Sequence, residues 1–240
     1  RASADWLRSR RHRLTASRFY KALEAVSGEC LPGDARLCRE QLIEDMLVQP
    51  EALRSPKRFG LANEARARQS YIGYRVHGQD EGFRKAFRVE EIGLCVWQEE
   101  PWLAASPDGV VSECGSVGAL EIKCCKSASH MYSVDNIPRQ FYDQMQGEMV
   151  ILSSALGSPV RWCDFWVWSP SRSRCARVWL DRDYFFGRVL PRLRAFYFRC
   201  YVPVARGVAL GASGSGLRNG ARRLARACEK KRLASHGKRD

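Results

Sequence analysis

Asp108, Glu121 and Lys123 are the residues whose types and spacing point most directly to chemistry. Asp108 opens a Pro-Asp-Gly turn, and Glu121 and Lys123 flank Ile122 in the short apolar run ALEIKCC at 119–125. Period-two alternation puts Leu120, Ile122 and Cys124 on one strand face and Glu121 and Lys123 on the other. Two carboxylates and an amine at the edge of a hairpin can hold a hard divalent cation with a water beside it. Mg²⁺ takes oxygen ligands in octahedral array and keeps several waters while using one or two carboxylates. A cation there activates water, and an ammonium beside it stabilises charge on a phosphate or orients the attacking water. The reaction this serves is phosphodiester hydrolysis. The bare pattern, Asp-x₁₂-Glu-x-Lys, also fits a solvated hairpin of mixed charge, so its meaning depends on what positions it.

The flanking sequence predicts those positioning elements. Residues 86–97 read as one or two strands broken near Gly93, and 102–106 as another; Asp108-Gly109 then turns into VVSEC. A second glycine turn leads into the strand of Glu121, so the meander brings Asp108 toward Glu121 and Lys123. Pro138 starts a long helix that ends at about Leu156 before Gly157. Phe141, Met145, Met149 and Leu152 make its buried stripe, with Gln144 beside the stripe and Gln146 pointing elsewhere. Residues 160–170 alternate as a core strand, 177–180 pair with it as a hairpin, and Asp181 is a candidate cap for a C-terminal helix.

Upstream, residues 4–13 read as a basic helix and 17–28 as a second, with Phe19, Leu23 and Val26 buried and Thr15 or Ser17 as its cap. Residues 29–38 read as a loop, 39–48 as a helix and 74–83 as a polar stretch. The helix at 60–72 would pack through Ala62, Ala67 and Tyr71, and it carries Glu64 one turn from Arg68.

The chain has 240 residues, 40 Lys and Arg against 26 Asp and Glu, and a net charge of +14. That excess favours a polyanionic partner, because phosphate contacts come mainly from Arg and Lys. No stretch reaches the 18 apolar residues of a membrane span. The first residue is Arg1, as in a processed product, a fragment or an excised domain. The 10 cysteines form no CxxC pair, which fits reduced, mostly buried thiols and an intracellular compartment. Residues 203–220 are small and weakly packing and 221–240 strongly basic, so 203–240 is expected to be a flexible tail after one domain over 1–202.

Five islands, in order, resemble the phage lambda exonuclease and YqaJ-like recombinase nucleases, a branch of the PD-(D/E)xK superfamily. They are WLRSRRHRLTAS at 6–17, FGLANEARA at 59–67, SPDGVV at 106–111, LEIKCC at 120–125 and YDQMQGEM at 142–149. The resemblance implies an α/β (α+β) restriction-endonuclease-like fold, a mixed central sheet flanked by helices. It implies that Asp108, Glu121 and the Ile122 carbonyl hold Mg²⁺, with Mn²⁺ as a substitute. Lys123 would orient or deprotonate water, Gln144 would fix the nucleophile, and Glu64 would act directly or through water on a second metal. Arg10, with Trp6 before it, and Thr15 and Ser17 would grip a 5′-terminal phosphate, while Arg68 and Tyr142 would lie near phosphate or the acidic cluster. Capping by Thr15 and Ser17 remains the alternative for that segment.

The expected activity is a Mg²⁺-dependent 5′-to-3′ exodeoxyribonuclease on linear double-stranded DNA that leaves a single-stranded product. The alternatives are a structure-selective or nicking endonuclease on DNA or RNA, and a non-catalytic DNA-binding recombination protein. The resemblance also implies a trimeric ring, a single-strand annealing partner, and roles in recombination and repair. The compartment would be the nucleus in a eukaryote, or the cytoplasm in a bacterium or phage.

Overall fold

The computed structural model describes residues 8–26, 32–48 and 55–211. Its strands, in chain order, are β1 (Leu14–Thr15), β2 (Arg88–Glu90), β3 (Cys95–Val96), β4 (Leu103–Ala105), β5 (Gly109–Glu113), β6 (Ser116–Cys124), β7 (Val160–Trp168) and β8 (Ser173–Trp179). The helices are α1 (Phe19–Glu24), α2 (Pro32–Val48), α3 (Ser55–Val76), α4 (Glu81–Ala86) and α5 (Arg139–Leu156). A C-terminal helical run over 182–211, here α6, contains π-helical turns at Phe185–Val189 and Tyr197–Tyr201.

The strands form two mixed sheets, β2-β5-β6-β7-β8 and β1-β4-β3. In the larger, β5 and β6 are an antiparallel hairpin, whereas β6 and β7 run parallel. Parallel neighbours need a crossover, and α5 supplies it. The crossover helix lies between the sheets, touching β6 and β7 on one side and β3 and β4 on the other. That placement explains why the side chains of 143–152 are all buried, polar ones included. Gly157 ends the helix with φ 61°, a left-handed conformation that glycine adopts without steric cost.

The two faces of the larger sheet carry different cores. Leu120 and Ile122 pack with Ala67 and Tyr71 of α3 and with Trp166. Ala119, Phe165 and Val167 join the core that includes α1 and α5. α3 is fixed to its face by a buried ionic network. The Asp164 carboxylate, 0% exposed, accepts from the Tyr71 hydroxyl at 2.6 Å, from Arg75 at 2.5 Å and from Arg177 at 2.8 and 2.9 Å. Both arginines also pair with Glu113. Two carboxylates facing two guanidiniums, with further hydrogen bonds, is the arrangement in which burying charge is tolerable.

Gly147 sets the approach of α1 to α5. A Cβ at that position would lie 2.2 Å from Phe19 Cε2, so only glycine lets the helices meet this closely. Gln146, on another side of α5, donates to the Trp179 carbonyl at 2.9 Å and accepts from the Asp181 amide at 2.8 Å, tying α5 to the β8–α6 junction.

Several expectations need correction. The loop expected over 29–38 is helical from Pro32 onward, where a missing N–H costs nothing in the first turn. The helix expected over 60–72 extends from Ser55 to Val76, and Ala62 is exposed rather than packed. The polar stretch before Phe83 contains the start of α4, capped by Asp80, which accepts from the Phe83 amide at 2.8 Å. The linker expected from 203 is helical to Gly211 because Val204, 1% exposed, still docks on the core. Trp6 and the basic tail over 212–240 lie outside the described residues.

Among the described residues no helix is long and apolar enough to cross a membrane. The eight described cysteines are thiols; Cys95, Cys125, Cys163 and Cys200 are buried and Cys38 and Cys114 exposed.

Candidate active site

The β5–β6 register places the first carboxylate. Gly109 pairs with Leu120, and one residue earlier the Asp108 amide donates to the Leu120 carbonyl at 2.9 Å. The Asp108 side chain then takes the next rung of the ladder: its Oδ2 accepts from the Ile122 amide at 2.7 Å. A side chain anchored to both backbone and neighbouring strand cannot swing, as a ligand or catalytic carboxylate requires.

Glu121, 3% exposed, faces α5 from the adjoining strand. Its Oε1 accepts from the Lys123 ammonium and, at 2.8 Å, from Gln144 Nε2. The Lys123 ammonium also lies 4.7 Å from the centre of the Phe141 ring. Burial pulls the Lys123 pKa down, but the Glu121 and Asp108 charges outweigh it and the net shift is upward. Lys123 is therefore held as a cation beside Glu121.

Gln144 donates a second time, to Glu148 Oε1 at 2.8 Å. Glu148 was not among the residues read as functional from the sequence. It lies in the YDQMQGEM island one turn after Gln144, so i,i+4 spacing was the signal that could have found it. It is 1% exposed, and its carboxyl pKa is raised by burial first and by the Glu121 charge second.

Glu64 approaches from the other face of the sheet. Its Oε1 accepts from Arg68 at 2.9 Å, and Arg68, 8% exposed, also pairs with Glu91. Arg68 is thus engaged by two glutamates, Glu64 and Glu91. Burial, then the charges of Asp108 and Glu64, push the Cys124 thiol up to about 12, so both carboxylates act on the same strand end. No three His, Cys, Asp or Glu side chains among the described residues gather closely enough to hold a metal by themselves. The oxygen donors at this strand end are Asp108, Glu121 and the Ile122 carbonyl. Those all-oxygen, hard ligands fit Mg²⁺ or Mn²⁺, which take few carboxylates and complete their shell with water.

The amino-terminal segment forms a second polar cluster. Arg10 Nη2 donates to the Thr15 hydroxyl at 3.1 Å, and that hydroxyl lies 3.4 Å from Ser17 Oγ. Thr15 precedes a 3₁₀ turn but makes no side-chain cap to it, so the capping alternative does not hold for Thr15. The C-terminal helical run braces this segment: the Tyr197 hydroxyl donates to the His12 carbonyl at 2.7 Å, and His12 Nδ1 meets the Tyr201 hydroxyl at 2.6 Å. The chain then enters α1, which packs on the helix carrying Gln144. Tyr142 does not join the Glu121 cluster; it faces Tyr184, with ring centres 5.4 Å apart, in a cleft lined by Arg139, Arg188 and Arg192.

Among solved structures, the alkaline exonuclease LHK-Exo from Laribacter hongkongensis matches with a TM-score of 0.60 and 22% identity, over 95% of this chain and 100% of that one. LHK-Exo in complex with dAMP gives 0.57 and 21% over the same shares. A phage related exonuclease from Haemophilus somnus 129PT gives 0.51 and 10%, over 91% and 96%. At these identities the likeness shows the fold, which is that of the expected nuclease class. No curated protein matches the chain. The model of the YqaJ-like viral recombinase domain matches residues 5–154, which include all five sequence islands and every residue of the Asp108–Glu121–Lys123–Gln144 cluster; the chain belongs to that family.

Proposed function

We propose that the protein is a metal-dependent deoxyribonuclease that degrades linear double-stranded DNA from its 5′ ends. The observation that carries this reading is the Glu121 carboxylate, buried beside Asp108 and held between the Lys123 ammonium and the Gln144 amide. Asp108, Glu121 and the Ile122 carbonyl would hold Mg²⁺ or Mn²⁺. Such an ion, when bound, supplies a Lewis acid for the phosphate and a more acidic water. Lys123 stabilises negative charge growing on the scissile phosphate, and burial strengthens that attraction. Gln144 positions a water without changing the charge of the site. Arg68 holds Glu64 in place along α3.

Exonucleolytic action is supported by the Arg10–Thr15–Ser17 cluster. A guanidinium fork with two hydroxyls suits a terminal phosphate monoester, which carries more charge than an internal diester. The similar solved structures are those of exonucleases, and the net charge of +14 suits a DNA partner.

The test is digestion of end-labelled linear duplex beside a covalently closed circle, each with Mg²⁺ or with EDTA. The expected result is degradation of the linear DNA from its 5′ ends with Mg²⁺, an intact circle, and no cutting with EDTA. Circles cut as fast as linear DNA would replace the exonuclease with an endonuclease.

A further inference from the structure

Glu148 is an expensive residue to keep. Its side chain is sealed from solvent, and its Oε2 has no hydrogen-bond partner among the described residues. A buried carboxyl oxygen left without a partner carries its full desolvation cost. The hydrogen bond it does make, to Gln144, stays within α5 at i,i+4 spacing, so it joins no two elements of the fold. An apolar side chain of similar volume would fill the same space beside Met145, Met149 and Leu152 without that cost. A structural role therefore does not account for Glu148.

The geometry around Gln144 does. An amide can be turned either way about its last bond, and a single hydrogen bond rarely settles which. Here the same nitrogen lies 2.8 Å from Glu121 Oε1 and 2.8 Å from Glu148 Oε1. Both acceptors are carboxyl oxygens, so only the NH₂ group satisfies the pair, and its two hydrogens are both used. The amide carbonyl must then point away from the carboxylates. It makes no hydrogen bond to any described residue and is not among the atoms sealed from solvent, so it is the end of the amide that a water can reach. With Glu121 alone, the amide could rotate toward Lys123 and offer the ammonium its oxygen instead.

We infer that Glu148 is a positioning residue: it locks the Gln144 amide with its NH₂ toward Glu121 and its carbonyl toward the attacking water. This rests on the nuclease reading above and adds to it the residue that fixes the water-orienting group. Its place in the chain, one turn beyond Gln144 on a rigid, fully packed helix, holds that orientation better than a loop could.

The experiment is a double-mutant cycle with Mg²⁺ and linear duplex DNA, reading kcat, KM and the melting temperature of each protein. Glu148→Met in the wild-type background is expected to lower kcat by roughly tenfold with KM unchanged, as expected when a reacting group is misaligned and binding is untouched. Its melting temperature should match or exceed that of the wild type, because the unsatisfied oxygen is gone. In a Gln144→Met background the same change should cost no further activity, since Glu148 acts through that amide. Glu148→Gln, which retains an acceptor oxygen, should fall between the wild type and Glu148→Met, and it carries the same cycle if the methionine variant folds poorly. Equal losses of kcat in the two backgrounds, or a lowered melting temperature with kcat and KM changed together, would overturn the assignment. A wild-type protein that does not cut DNA would instead overturn the nuclease reading itself.

Discussion

Arg10 donates to the Thr15 hydroxyl at 3.1 Å across a turn that contains His12 in a left-handed conformation, φ 62°. A non-glycine residue there is strained unless its surroundings hold it, and such strain gathers where a segment has work to do. The surroundings are Tyr197 and Tyr201 of the C-terminal helical run and the Trp102 carbonyl, which accepts from the Leu14 amide at 2.9 Å. The turn gathers one guanidinium and two hydroxyls, with Thr15 buried and Ser17 exposed.

If that cluster grips a strand end, linear duplex with a 5′-phosphate should be degraded faster than the same duplex with a 5′-hydroxyl. Arg10→Ala should shrink the preference and reduce processive degradation, yet leave slow metal-dependent cutting in place. Rates with the two end groups, measured for wild type and variant, check this. An unchanged preference in Arg10→Ala would remove the residue from the end-gripping role.

The same turn carries a pH dependence. Burial first, and the Arg11 charge second, lower the His12 pKa below its usual 6.5, while burial raises that of Tyr201. Tyr201 therefore keeps its proton, and its hydroxyl shares a hydrogen bond with a neutral imidazole. Since the folded chain binds this proton less readily than the unfolded chain, the contribution is complete above pH of about 6.5 and is lost as pH falls. The melting temperature should drop from pH 7 to 5 more steeply for the wild type than for His12→Asn, in which the left-handed backbone is retained without the titration. Parallel curves would show that this contact does not couple to pH.

How much of this was readable beforehand depended on the range over which each signal acts. The Asp108 turn, the alternation around Glu121 and the glycine-ended helix of Gln144 are local patterns, and each lies where its sequence predicts. The partition of strands into two sheets was not readable, because β1 pairs with β4 across 89 positions and leaves no local trace. The apolar stripe of α5 was legible, but not that its polar residues would be buried too; that follows from a second sheet on its outer side. Glu148 was missed for this reason, since a glutamate beside a stripe reads as solvated until something covers it. Helix starts at Pro32 and Ser55 were hidden in stretches rich in turn-forming or charged residues.

Asp164 was likewise unremarkable as a charged residue in an aromatic strand, yet it fixes α3. Asp164→Asn should destabilise the protein by about 3 kcal/mol, because Arg75 and Arg177 would lose half of their compensating charge in a poorly hydrated place. Urea unfolding measures it directly. A change within roughly 0.5 kcal/mol, the range of ordinary surface substitutions, would show that Glu113 alone suffices for both arginines.

The last prediction concerns Lys123, whose ammonium meets Glu121 and lies over the Phe141 ring. A lysine that only neutralised a buried carboxylate would matter for stability and could be replaced by another cation. A lysine that stabilises charge on the scissile phosphate should matter for turnover far more than for folding. Lys123→Ala is expected to lower turnover by about 10² or more with little change in DNA affinity. Lys123→Arg should not restore it, because a planar fork cannot occupy the position of a compact ammonium over an aromatic face without displacing Gln144 or Glu121. Glu121→Ala provides the reference: it removes both the oxygen donor and the partner of Lys123, and it should abolish cleavage while DNA binding persists. Full turnover in Lys123→Ala, beside an inactive Glu121→Ala, would leave the carboxylates as the reacting centre and reduce Lys123 to their counter-ion.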